Sequence, residues 1–104
     1  MSALRAGTII ASGAKIADHV VINKGVIIGH DTEIKKYSVI QPGVKIGGHV
    51  VVGAGATLGI GSIVREDIKI GEYSFIAAGA VVLKNVEPKV LVAGIPAVYK
   101  KHLN

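Results

Sequence analysis

An aliphatic residue at every sixth position predicts an all-β fold, a parallel β-helix in which each hexad forms one short strand and one turn. The series runs Ile10, Ile16, Ile22, Ile28, Ile34, Ile40, Ile46, Val52, Leu58, Val64, Ile70, Ile76 and Val82, thirteen positions without a miss. About a third of the chain is Ile, Leu or Val, so chance would give such a run roughly once in a million registers, and the signal is that of a repeat architecture. Two residues before each of these stands a small or β-branched residue: Thr8, Ala14, Val20, Val26, Thr32, Ser38, Val44, Val50, Ala56, Ser62, Ile68, Ser74 and Ala80. Three residues after them Gly recurs (Gly13, Gly25, Gly43, Gly55, Gly61, Gly79), with His19, Asp31, Tyr37, His49, Asp67 and Tyr73 at other turns. Glycine reaches turn angles that other residues adopt only at a cost. A period of six matches neither 3.6 nor 3.5, which excludes an α-helix.

Three hexads close one triangular coil of eighteen residues, so residue n stacks on n+18 at the spacing of paired strands, about 4.8 Å. Thirteen hexads give about four coils. The expected organisation is a lead-in over 1–7, the repeat over 8–85 and a C-terminal segment over 86–104. In that last segment Glu87-Pro88 turns the chain and Val90 to Val92 form a final strand. Pro96 then opens a short helix through Lys100 to Leu103.

The position just before each inward residue points outward and sorts into three faces. One carries Ile9, Ile27, Lys45, Ile63 and Val81; the next Lys15, Glu33, Val51 and Lys69; the third Val21, Val39, Thr57 and Phe75. Two faces are mainly apolar. Apolar strips on a thin prism call for burial against a partner, and a homotrimer is the simplest closed assembly.

A chain of 104 residues with fourteen glycines, no tryptophan and only four aromatic side chains suits one thin, regular domain. The absence of cysteine excludes disulfides, thiolate metal sites and a cysteine nucleophile. No stretch has the layout of a signal peptide or the roughly 18 apolar residues of a membrane span, so a cytoplasmic protein without membrane contact is expected. The net charge of +5 reads first as a solvated basic surface. The lysines are scattered and lack interleaved aromatics, so nucleic acid is not an expected partner.

Among four histidines, His30 stands out. It lies between Gly29 and Asp31, with Gly48 one coil above and Ser12 one coil below. Acyl transfer needs a base for the attacking amine or hydroxyl and an N–H donor for the thioester oxygen. A histidine stacked under a glycine backbone supplies both, and Asp31 can orient the ring. The bland alternative is a polar turn residue like His19.

From Asn23 through GVIIGHDTEIKKYSVIQPGVKIGGHVVVGAGATLGIGSIV to AAGAVVLKNV and GIPA, the chain resembles the hexapeptide-repeat acyltransferases. It is most similar to their sialic acid O-acetyltransferase and bacillosamine-type sugar N-acetyltransferase subgroup. The resemblance covers about residues 16 to 98. It implies a left-handed coil, acetyl-CoA as acyl donor and a sugar-like small-molecule acceptor. It also implies His30 as general base, Asp31 beside it and Asn23 helping to form the site. Gly48 would meet the acetyl carbonyl, while Ile60 and Ala78, eighteen apart, would lie along the pantetheine arm through their backbones. Three departures are visible. Val39 replaces a second histidine, the closing Gly94-Ile95-Pro96-Ala97 is followed by Val98, with basic charge delayed to Lys100 and Lys101, and no α/β segment precedes the repeat within these residues. Lys100 is the candidate basic contact to the cofactor.

Two rival readings share the fold. A gamma-type carbonic anhydrase would converge three histidines on zinc, two of them five residues apart. Here His30 and His49 are nineteen apart and His19 and His102 lie elsewhere, so no metal is expected. A non-catalytic trimerising scaffold, or a piece of a larger acetyltransferase, is the other alternative.

Overall fold

The computed structural model describes residues 3–4 and 6–104. Fourteen two-residue strands, from β1 (Ala3–Leu4) to β14 (Val81–Val82), follow one another at six-residue intervals. Partners lie eighteen residues apart and run parallel, as in Val21 with Val39, Ile27 with Lys45 and Lys15 with Glu33. Three sheets result, and the chain winds through them as a left-handed parallel β-helix. The three faces carry the outward residues expected of them, and we name them the valine face (Val21, Val39), the isoleucine face (Ile27, Ile63) and the lysine face (Lys15, Lys69).

Why these residues form this prism follows from its width. From Ile22 to Val82 every sixth residue is buried, and so is the residue two before it. Each coil is therefore filled by six inward side chains, which leaves room for Ile, Val and Ala and none for tryptophan. Three buried hydroxyls repay their desolvation with hydrogen bonds: Thr32 Oγ1 donates to Gly47 O at 2.7 Å, Ser38 Oγ to Lys35 O at 2.8 Å and Ser74 Oγ to Gly71 O at 2.6 Å. Among the described residues only Ser62 Oγ is buried with no partner. Its column neighbours Val44 and Ala80 are apolar and buried. Ser62→Ala is therefore expected to raise unfolding stability by about 1 kcal/mol, read from denaturant midpoints.

The spiral runs longer than the hexad period, giving about five coils where the sequence suggests about four. Beyond β14 the coil shortens from eighteen residues to sixteen: Ile70 bridges Val86, and Phe75 and Ile76 pair with Leu91 and Val92 of β15 (Val90–Ala93). The final strand over Val90 to Val92 is thus present. The short helix from Pro96 is not. Val98–His102 forms β16, antiparallel to β15. Five residues are too few for a helix to hold its own hydrogen bonds, whereas the open edge of β15 offers unpaired N–H and C=O groups. The described residues contain no helix, and so none long and apolar enough to cross a membrane.

Each corner of the prism has its own character, set by the residues at positive φ. Between the valine and isoleucine faces, Gly7, Gly25, Gly43, Gly61 and Gly79 stack in one bare column. Between the isoleucine and lysine faces stand Gly13, Asp31, His49 and Asp67; between the lysine and valine faces His19, Tyr37, Gly55 and Tyr73. We refer to these as the glycine, histidine and tyrosine corners.

Candidate active site

His30 and Asp31 form the turn that follows the strand Ile27–Ile28, and Gly48 and His49 form the same turn one coil on. The backbone locks these turns together: Asp31 N–H donates to Ser12 O at 3.1 Å, and His49 N–H donates to His30 O at 2.9 Å. Gly48 lies directly over the His30 ring. A Cβ there would sit 2.8 Å from Nε2 and 3.0 Å from Cε1, so only glycine leaves the imidazole its place. Gly29, beside His30, passes equally close to the next coil: a Cβ on it would sit 2.5 Å from Gly48 N.

The two ring nitrogens of His30 face different groups. Nδ1 is 3.3 Å from Asp31 Oδ2, a long hydrogen bond. Donation of Nδ1–H to the carboxylate leaves the lone pair on Nε2, the nitrogen turned toward Gly48. The Gly48 N–H has no hydrogen-bond partner among the described residues. A proton acceptor and a free backbone donor thus share one edge of the prism.

His49 is the neighbour that sequence reasoning missed. Its Nε2 lies 3.9 Å from Asp31 Oδ2, and its ring meets the His30 ring edge-on, centroids 4.9 Å apart at 90°. The signal was present: position 49 is position 31 plus one coil of eighteen, so its side chain stacks on that of Asp31. His19 is different, since its ring stacks flat on Tyr37 at 5.3 Å on the tyrosine corner.

The other sequence candidates do not join this group within one chain. Asn23, Ile60 and Ala78 all sit on the glycine corner, one face away. Asn23 is engaged there: its Nδ2 donates to Ile40 O at 3.0 Å, and its backbone carbonyl accepts from Thr8 Oγ1 at 3.1 Å. Ile60 and Ala78 do stack in adjacent coils. Ile60 N–H, however, already donates to Gln41 Oε1 at 3.1 Å, and Ile60 O accepts from Gly79 N–H at 2.8 Å. Ala78 N–H has no partner among the described residues. Lys100 is exposed on β16, at the register shift between the pairs Leu91–Lys101 and Val92–Tyr99.

Comparison with known proteins agrees with this fold. The family model described as bacterial transferase hexapeptide (six repeats) matches residues 25–59 and 49–84, more than half of the chain. The protein belongs to the hexapeptide-repeat acyltransferase superfamily. Serine acetyltransferase of Mycobacterium tuberculosis is 40% identical over 90 residues, covering 86% of this chain and 35% of that protein. Serine acetyltransferase of Buchnera aphidicola is 34% identical, covering 85% of this chain and 36% of its own length. The chain thus spans about a third of the length of these curated relatives. Among solved structures, WeeI from Acinetobacter baumannii superposes with a TM-score of 0.92 at 30% identity, over 95% of this chain and 49% of that one. A histidine-to-alanine mutant of GDP-perosamine N-acetyltransferase from Caulobacter crescentus, in complex with CoA and GDP-perosamine, superposes at 0.71 with 25% identity, over 96% of this chain and 56% of that one.

Proposed function

We propose that this protein is an acetyl-CoA-dependent acyltransferase that acts as a homotrimer, with His30 as general base. The observation that carries the reading is the two-sided placement of the His30 ring, Nδ1 on Asp31 and Nε2 against Gly48. In the reaction Nε2 takes the proton of an amine or hydroxyl as its heteroatom attacks the acetyl carbonyl. Asp31 stabilises the imidazolium so formed. The Gly48 N–H steadies the oxyanion. The tetrahedral intermediate then expels the CoA thiolate, which is protonated as it leaves, and the acetyl group stays on the acceptor. No acyl-enzyme forms, in keeping with a chain that lacks cysteine.

The trimer explains why the candidate residues occupy two corners. In the proposed trimer the histidine corner of one chain stands across from the glycine corner of the next. An extended pantetheine arm then has the bare glycine column as its bed. A side chain built on Gly61 or Gly79 would meet nothing within 4 Å, so that column lies open. Asn23 and the backbones of Ala78 and Ile60 line this arm from the neighbouring chain, Gln41 swinging aside where Ile60 N–H is needed. Lys100 offers charge to a cofactor phosphate. The acceptor is a small hydroxyl or amine compound, and a sugar-like one is favoured by the likeness to the sugar acetyltransferases. The serine acetyltransferases among the relatives keep an amino-acid hydroxyl as the second candidate.

Calorimetric titration with CoA tests the reading first, and failure to bind would leave the scaffold alternative. Gly48 gives the second test. Gly48→Ala keeps the N–H but pushes the imidazole aside, and should slow transfer; Gly48→Pro also removes the donor and should cost a further hundred- to thousand-fold or so. Normal turnover by Gly48→Pro in a steady-state thiol-release assay would place the oxyanion donor elsewhere.

A further inference from the structure

Metal is not expected from the histidine spacing alone, because no three histidines converge. The fold supplies a different set. His30, Asp31 and His49 each offer one donor atom, and the three atoms lie within 4.8 Å of one another. We propose that this cluster binds one divalent transition-metal ion, zinc(II) foremost, and that the bound ion silences the base.

The donor set comes from adjacent coils, which is why sequence spacing hides it. Asp31 and His49 occupy the same left-handed turn position, φ 56° in each, one coil apart. Two donors bound to one ion at about 2.1 Å sit roughly 3 to 3.5 Å apart. His30 Nδ1 and Asp31 Oδ2 already have that separation at 3.3 Å, and His49 Nε2 is only slightly far at 3.9 Å from the same oxygen. All three side chains are more than half exposed in the single chain, at 60%, 56% and 58%. Small rotations close the remaining gap, and water is free to complete the coordination shell. Two imidazoles and one carboxylate suit zinc and its neighbours in the first transition row, whereas calcium and magnesium prefer all-oxygen sites.

Silencing follows from the tautomer and rests on the general-base reading above. A neutral imidazole has one lone pair. When the metal takes it at Nδ1, the proton formerly on Nδ1 is lost to solvent and Nε2 is protonated from solvent. Nε2 then carries N–H toward Gly48 and has no lone pair left to accept the proton of an attacking nucleophile. The same ion occupies Asp31. Metal and turnover are thus mutually exclusive at one residue, and free metal sets the active fraction.

Zinc sulfate titrated calorimetrically into the metal-stripped full chain should show one ion per chain. Affinity should fall at least tenfold in His49→Asn and in Asp31→Asn and stay unchanged in His19→Asn, with circular dichroism showing that each variant keeps its fold. Equal affinity in the parent and His49→Asn overturns the site. In chelator, His49→Asn should turn over like the parent; added zinc should then inhibit the parent and spare the variant. Equal inhibition of both, or a parent indifferent to saturating zinc, overturns the silencing. A parent with no transferase activity would count against the base reading of His30, while the calorimetric comparison still decides the metal site.

Discussion

Replacing His30 with alanine is expected to lower acetyl transfer by about a hundred- to ten-thousand-fold while changing stability by no more than about 0.5 kcal/mol. The two numbers part company because of where the ring sits. His30 is 60% exposed, so its loss opens no cavity. What disappears is the lone pair aimed at the Gly48 edge. His19→Ala is the matched control. That ring also occupies an exposed turn, but it stacks on Tyr37, the residue one coil above it. Thiol release at saturating acetyl-CoA, with urea unfolding run in parallel, measures both quantities. Equal turnover by His30→Ala and the parent would remove His30 from the chemistry.

The second large effect is expected at the valine face. Val21 and Val39 stack outward there, with Phe75 farther along and exposed. On the isoleucine face Ile9, Ile27 and Ile63 are 59%, 38% and 44% exposed in the single chain. Val39→Glu would bury an unpaired carboxylate in the proposed trimer contact, at a cost of about 3–5 kcal/mol. Light scattering should then show monomers where the parent shows trimers, and acetyl transfer should fall with dissociation, since each site would lose the glycine corner of its neighbour. A parent that scatters as a monomer sinks the assembly outright.

The legible and illegible parts of this molecule differ for a physical reason. Strand, turn and column follow from a translation that repeats every eighteen residues, so Ile28, His30 and Gly48 could be placed by counting. His49 was equally countable from Asp31, but nineteen residues from His30 hides a lateral contact between neighbouring columns. Counting fails once the period does. The sixteen-residue last coil has no hexad signature, and Val98–His102 takes its conformation from the edge of β15, a partner set by the end of the spiral. Nor could spacing reveal that Gln41 already holds the Ile60 N–H, because the reach of a side chain lies outside any repeat.

The antiparallel β16 also bears on solubility. A spiral of parallel strands presents an edge at each end, and two such ends can in principle zip one molecule onto the next without limit. Head-to-tail filaments grow only if both ends stay available. At the C-terminal end β16 lies over the last parallel strand in the reverse direction and carries Lys100, Lys101 and His102, all exposed. Charged edge strands of this kind resist further pairing. On the valine face the C-terminal edge is thereby blunted, so that column does not pass its pairing on to a second molecule.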